Sequence, residues 1–374
     1  MTRMREKNRQ ETTESGSELR RGWTTGACAT AATRAALTAL LTGRFPDPVT
    51  ITLPRGQTPS FALARETLGR DEAMAAIVKD AGDDPDVTHG ATIVATVRRG
   101  RPRTGVVFRA GEGVGMVTLP GLPVDPGQPA INPVPRRMMT ETVETVSAEH
   151  GVAPDFEIEI SVPGGQALAD MTWNPRLGIK GGLSILGTTG IVNPFSCSAW
   201  IHSIHRGIDV ARAAGLEHVL GSTGSTSEKT ARDLFGLPDI ACLDMGDFAG
   251  GLLKYLRQHP LPRLTIAGGF AKLSKLAQGA LDLHSGRSQV DMEWLADRAG
   301  PNLNQSVRKR ILSANTALEA LELTREEGID LAAAIARDAR MTALETLREA
   351  PVAVDILVTD RQGNILAQSG ADRD

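Results

Sequence analysis

Sulfur, aromatic rings and long apolar runs are all scarce in this chain of 374 residues. Its three cysteines, Cys28, Cys197 and Cys242, are odd in number and far apart, which excludes a disulfide framework and any C-x-x-C zinc or redox site. That usage suits a reducing compartment, so a cytoplasmic protein is expected. Aromatics are 3% of residues and tyrosine occurs once, so the core must be aliphatic, without the stacking platforms that single-stranded nucleic acid needs. No run approaches the ~18 apolar residues that span a bilayer. Charge of one sign is missing too: 41 Lys plus Arg against 44 Asp plus Glu leave -3. No whole-chain field draws in nucleic acid or an anionic membrane, and a polyanionic ligand must meet a local basic patch. Two catalytic signatures are absent as well. Without G-x-x-x-x-G-K-[ST] a P-loop NTPase is disfavoured, and without G-x-S-x-G there is no hydrolase nucleophile elbow.

Glycine, by contrast, is abundant: 39 of 374 residues, where ~7% is usual. It clusters where backbone must approach backbone or ligand closely. At roughly 150 residues per domain the length argues for two domains. Residues 1–21 mix six basic with four acidic side chains around no apolar stretch and read as a disordered tail. Thr24 then caps an alanine-dense helix that stops at Gly43. Alternating apolar residues predict strands near 49–53, 61–63, 76–79, 93–97, 105–108 and 156–162, an α+β domain over residues 22–170. From about residue 171 short apolar runs (183–186, 217–220, 240–243 and 264–267) each end in a Gly-rich turn. Such units predict an α/β domain over 171–374 with a mostly parallel, doubly wound, Rossmann-like sheet. Val307, Ile311, Ala314, Leu318 and Leu321 have the period of one amphipathic helix, and residues 352–358 supply a late core strand.

Several strings can carry chemistry. Gly221, Thr223, Gly224 and Ser225 follow a strand and open a helix, and Asp244 ends the next strand 20 residues beyond Gly224. In parallel sheets that arrangement sets backbone N–H groups against a nucleotide and a carboxylate against its ribose hydroxyls. The same residues equally make a tight turn and a helix cap. Gly187, Thr188, Thr189 and Gly190 form a second loop of this kind, able to line the same crevice or to turn the chain. Residues 79–89 concentrate four carboxylates, among them Asp83 and Asp84, beside His89, which suits a hard cation, a raised-pKa acid, substrate orientation or an ordinary turn. His202 and His205 share a helix face without a third ligand in view, so no protein-bound metal is expected. Five prolines between Pro120 and Pro133 predict a stiff, extended segment running on to Arg136 and Arg137. These two arginines, with Arg20 and Arg21, are candidate partners for carboxylates.

Taken together, Arg21-Gly22-Trp23-Thr24-Thr25-Gly26, residues 79–89, 130–137 and 187–190, and Asp247-Phe248-Ala249-Gly250 resemble the cobalt-precorrin-5B C(1)-methyltransferase family of cobalamin biosynthesis. The resemblance spans residues 19 to about 290. It implies methyl transfer from S-adenosylmethionine to ring carbon 1 of a cobalt-containing tetrapyrrole with acetate and propionate chains, the cobalt belonging to the substrate. A sulfonium methyl is already activated, so alignment and exclusion of water suffice and no covalent nucleophile is needed. Asp83, Asp84, His89 and Asp247 are then candidates for proton uptake, the Gly loops and Asp244 for the methyl donor, and Arg21, Thr24, Thr25, Arg136 and Arg137 for the substrate. No nucleic-acid or membrane partner is implied, and a homodimer is allowed for. An NAD-linked oxidoreductase and a non-catalytic tetrapyrrole carrier are the rival readings, distinguished by which cofactor binds, if any.

Overall fold

The computed structural model describes residues 19–301 and 303–370, so the expected tail lies, up to residue 18, outside them. The fold is mixed α/β, with two five-stranded sheets and three two-stranded ribbons among the described residues. Helix α1 (Thr25–Thr42) begins where the Thr24 hydroxyl accepts the Ala27 N–H at 3.2 Å and ends at Gly43, whose φ of 80° suits a residue without a Cβ. Alanine lines its buried face, which lets α1 lie close to the first sheet. That sheet orders β1 (Arg65–Leu68), β2 (Glu72–Val78), β3 (Thr92–Arg99), β5 (Phe156–Ser161) and β4 (Val106–Ala110). Only the last pairing is parallel. Helix α2 (Pro133–Glu149) packs beside α1, with Met138, Met139 and Val143 in the same core.

The second sheet orders β7 (Cys242–Asp244), β6 (His218–Ser222), β8 (Arg263–Gly269), β9 (Ala353–Thr359) and β10 (Ile365–Ser369), with β10 alone antiparallel. Its central strands are apolar on both sides, as parallel strands covered by helices must be. On one face Leu220, Cys242, Ala267 and Leu357 meet Ala231 of α4 (Ser225–Phe235). On the other, Leu243, Ile266 and Ile356 join the core formed by α3 (Cys197–Ala213), α5 (Ala249–Gln258), α6 (Phe270–Ala277) and the later helices. No described helix is long and apolar enough to cross a membrane.

Three expectations are corrected. The run 183–186 is not a strand of the parallel sheet. Leu183 and Ile185 make isolated bridges to Val114 and Ile131 and belong to the first core. A four-residue apolar run satisfies whichever core reaches it, and here no helix follows until Cys197. The amphipathic period from Val307 to Leu321 covers two helices, Gln305–Leu312 and Ala317–Glu326. The break falls where Thr316 accepts the Glu319 N–H, a local cap that outcompetes continuation. Finally, the extended proline segment ends at Pro133, which supplies the first turn of α2, so Arg136 and Arg137 are helical.

The described chain enters as a ribbon threaded between two loops. Gly22–Trp23 pairs with Ile191–Val192, Trp23 N–H donates to the Asp80 carbonyl at 2.7 Å, and Arg21 bridges to Gly82. A Cβ on Gly22 would lie 2.0 Å from the Ala81 carbonyl carbon, so only glycine fits. Since that obstacle is backbone on both sides, Gly22→Ala should cost at least the upper end of the usual overpacking range, about 3 kcal/mol. Denaturant unfolding measures it, and a loss below about 1 kcal/mol would mean the ribbon is not held this tightly.

Candidate functional site

The acidic loop after β2 is organised around one buried cation. Lys79 follows β2 directly and its side chain is 1% exposed, while its partner Asp86, at 2.7 Å, is 25% exposed. An ammonium withdrawn from water needs such a partner. Asp86 Oδ1 also accepts the backbone N–H and hydroxyl of Thr88, which fixes it in place. Burial raises the Asp86 carboxyl, but the Lys79 hydrogen bond and charge with the Thr88 bonds outweigh it and the net shift is downward. The other carboxylates are latched as well. Asp80 binds Arg20 and the Gly82 N–H, and Asp83 and Asp84 accept backbone N–H groups of Arg20 and Phe195. The Arg20 guanidinium and the Gly82 N–H hold Asp80 down at about 2. His89 Nδ1 accepts the Ala81 N–H at 3.1 Å, so in the neutral ring the proton sits on Nε2 and the side chain presents a donor outward.

Beside this loop lies a cavity of about 190 Å³ bordered by Lys79, Asp86, Thr24, Asn174, Leu183 and Leu186. Thr24 and Thr25 thus stand beside the acidic loop. Thr25 is fully engaged, since its hydroxyl donates to and accepts from Leu186. The loop Gly187 to Gly190 is part of this region and not of the parallel sheet: a Cβ on Gly187 would fall 2.2 Å from Thr24 Oγ1, and one on Gly190 would meet Leu53. Thr188 is exposed and Thr189 turns onto Ile191.

The carboxyl ends of β6 and β8 lie side by side in the second sheet. Thr223 N–H donates to the Ala267 carbonyl, and Gly224 and Gly269 both face open space, where a Cβ would meet nothing within 4 Å. Ser225 opens α4 and is exposed. Gly221, expected in the loop, lies inside β6 and is explained by packing, because a Cβ there would come 2.4 Å from Leu252 Cδ2. Asp244 ends β7 opposite Ser222. Its carboxylate is half-buried, and no donor meets it among the described residues. Burial first, then the Glu228 charge, raises it, with Arg176 opposing. Asp247 is ion-paired with Lys272. Gly268 and Gly269 form the fourth Gly-rich turn of the sequence, at the end of β8.

One short stretch connects the two features. Thr172 and Asn174 border the cavity. Trp173 meets Trp200 edge-on at 6.2 Å, and Trp200 donates through Nε1 to the Asp244 carbonyl at 2.9 Å. Arg176 grips Glu228 of α4 with two bonds of 2.6 and 2.9 Å. Sequence reasoning missed this strap, because the Arg176 partner lies 52 positions away. The expected substrate arginines have protein partners or lie at the surface. Arg136 donates to the Ile131 and Pro129 carbonyls at 2.8 and 2.9 Å and caps the Phe108 ring, while Arg137 is exposed near Glu141. Both accordingly serve the helix and the proline segment, and Arg21 is exposed beside the loop. His205 stacks on Tyr255 at 4.0 Å, and no cluster of metal-ligating side chains occurs among the described residues.

These features define a mixed α/β protein in which one strap links a cavity beside the first sheet to the carboxyl end of the second. The CbiD family matches residues 12–194, and the family described as CbiD, C-terminal domain, matches residues 282–370. A protein of Brucella anthropi named cobalt-precorrin-5B C(1)-methyltransferase is 71% identical over 354 residues, 94% of this chain and 96% of its own. The protein of that name from Brucella canis is 70% identical over the same shares. A crystal structure of a cobalamin biosynthesis protein (CbiD) of Archaeoglobus fulgidus is 28% identical, covers 67% of this chain and 77% of its own, and has a TM-score of 0.38. The chain belongs to the CbiD family.

Removing the partner of a buried charge costs about 3–5 kcal/mol, so Asp86→Asn should destabilise the fold by that order at neutral pH. The sign with pH follows from the depressed carboxyl. Its contribution is complete above the unfolded value of about 3.9 and is lost as pH falls through the lower folded value. Parent and variant stabilities should therefore converge in acid. Unfolding curves taken from pH 7 downward check this, and a constant difference between the two would refute the assignment.

Proposed function

We propose that this chain is a C-methyltransferase that moves the methyl group of S-adenosylmethionine onto ring carbon 1 of cobalt-precorrin-5B, a step in building the corrin ring. The relatives' shared name over 94% of the chain supports the reaction. The observation that carries the cofactor reading is the half-buried Asp244 carboxylate without a donor, at the end of a parallel strand and beside two glycines that leave open space. In this reading the second sheet is doubly wound. The helices after β6 and β8 leave for opposite faces, and the crevice between those strands is where such sheets hold nucleotides. Asp244 takes the ribose hydroxyls and the Gly224 and Gly269 turns receive the rest of the donor. The macrocycle lies against the first-sheet portion, from residue 22 to the Ile191–Val192 strand, so the proposed boundary moves beyond residue 170.

The donor supplies an electrophilic methyl group, and the protein's part is to align it with the ring carbon and exclude water. Thiolate chemistry at Cys28 and Cys242 is disfavoured. Burial raises Cys28 to about 12 and Cys242 to about 11, so both stay protonated. For proton uptake Asp83, Asp84 and Asp247 each keep one oxygen outside their latches, whereas the engaged Nδ1 leaves His89 as a donor.

S-adenosylhomocysteine is the probe that tests this. Loss of charge-assisted hydrogen bonds worth about 1.5–3 kcal/mol predicts roughly 10- to 150-fold weaker binding to Asp244→Ala by calorimetry. The diol needs the ionised carboxylate, so parent affinity should fall as pH drops, starting above the range of an ordinary carboxyl because Asp244 is raised. Asp244→Asn should lose that pH dependence. Unchanged affinity in folded Asp244→Ala would remove the donor from this crevice, and preference for a nicotinamide cofactor would favour the oxidoreductase reading. Tight macrocycle binding without any donor affinity would favour the carrier.

A further inference from the structure

The cavity beside the acidic loop has more hydrogen-bond donors than its own acceptors engage. Lys79 carries three N–H groups and, among the described residues, meets only Asp86. Thr24 uses its hydroxyl oxygen to accept the Ala27 N–H, and its O–H is free to donate. Asn174 gives one Nδ2 hydrogen to the Gly182 carbonyl, which fixes the amide orientation, and its Oδ1 accepts from Ser184. Its second Nδ2 hydrogen has no acceptor. The one acid on the lining, Asp86, already accepts from Lys79 and twice from Thr88.

Lys79 and Asp86 form one ion pair on the lining, 1% and 25% exposed, so the surplus there is one of hydrogen-bond donors and not of net charge. Leu183, Leu186, Val87 and Val192 supply apolar wall between these donors and the opening. At about 190 Å³ the space far exceeds the ~10–15 Å³ that one water needs on the same measure. A carboxylate head on a short alkyl stem uses both the spare donors and the apolar wall, whereas a bare cation uses none of the donors and a flat apolar ring only the wall.

We propose that this cavity is a carboxylate-arm pocket, in which Lys79, Thr24 and Asn174 hold the acid group of a short side chain and the leucine and valine walls hold its methylenes. It rests on the methyltransferase reading only in assigning that arm to the macrocycle rather than to the methyl donor. The role is positioning: an arm seated here fixes how the ring lies relative to the crevice at the other end of the Thr172 to Arg176 strap.

The test titrates propionate, with propionamide as its uncharged counterpart, into the full chain by ligand-observed NMR, and S-adenosylhomocysteine by calorimetry. Propionate should bind the parent at least tenfold better than propionamide. Lys79→Met should weaken propionate at least tenfold while S-adenosylhomocysteine affinity stays within twofold. Val87 is 38% exposed and stands at the mouth, so Val87→Phe should also exclude propionate with every charge retained, which keeps the test intact if Lys79→Met fails to fold. Equal binding of the two probes, or undiminished propionate binding in the folded variants, overturns the pocket. Loss of S-adenosylhomocysteine binding in folded Lys79→Met overturns the assignment to the macrocycle. Failure of the parent to bind S-adenosylhomocysteine counts against the proposed function alone, since the propionate titrations decide the pocket separately.

Discussion

An ammonium group shut away from water governs this structure. Isolated, Lys79 would carry a desolvation cost of several kcal/mol, and the loop that follows it is shaped to prevent that isolation. Asp86 turns back to meet it, Thr88 pins Asp86, and the His89 ring bonds the Ala81 N–H to close the loop on itself. Four carboxylates would repel one another in a free peptide, yet each has its own donor here, so the charge density is tolerable. Those donors come from Arg20, Lys79 and the backbone N–H groups of Arg20 and Phe195, residues that flank the loop on three sides. What the composition displays as an acidic cluster is thus a clasp joining the entering ribbon, the first sheet and the start of α3.

The clasp has a counterpart in the strap from Thr172 to Arg176. Reacting atoms in a methyl transfer must come within about 3–3.5 Å along one line, and small displacements cost large factors in rate. Two ligands held on different sheets meet that tolerance only if the sheets are fixed relative to each other. The strap does this with three unlike contacts over five residues: an amide on the cavity, an indole edge against Trp200, and a bidentate ion pair to Glu228. Planar and two-pronged, Arg176 resists rotation in a way that a lysine would not.

How much of this was legible in the sequence divides by distance along the chain. Local signals read well. Thr24 and Gly43 bracket α1, and alternation locates four of the five strands of the first sheet, all but Arg65–Leu68. Whatever depends on which distant surface arrives could not be read. The run 183–186 is apolar enough for either core, and only the bridges of Leu183 and Ile185 decide between them. Gly221 looks like a loop glycine until the Leu252 side chain is seen against it. Motif resemblance reached the family because it draws on strings as wholes, but it could not separate ligand contacts from clasp contacts within those strings. Asp83 and Asp84 illustrate the point, being conspicuous in sequence and latched to backbone in the fold.

The surface arginines and the buried lysine differ in what they can do for a chain whose net charge is -3. Arg137 is 61% exposed and faces Glu141, so its field is screened beyond about a Debye length, ~8 Å at physiological salt. Arg136 is half-buried and donates to two carbonyls. Lys79 is the more deeply buried cation, so salt screens it less, and its ion-pair partner is Asp86. On the proposed pocket, discrimination among carboxylated arms comes from a low-dielectric site with a counted set of donors, not from a basic surface. Such a site tolerates an acidic exterior, since long-range attraction sets encounter rate more than the orientation of the bound ring. Burying one cation and latching the surrounding acids is therefore consistent with recognising an acidic substrate on an acidic protein.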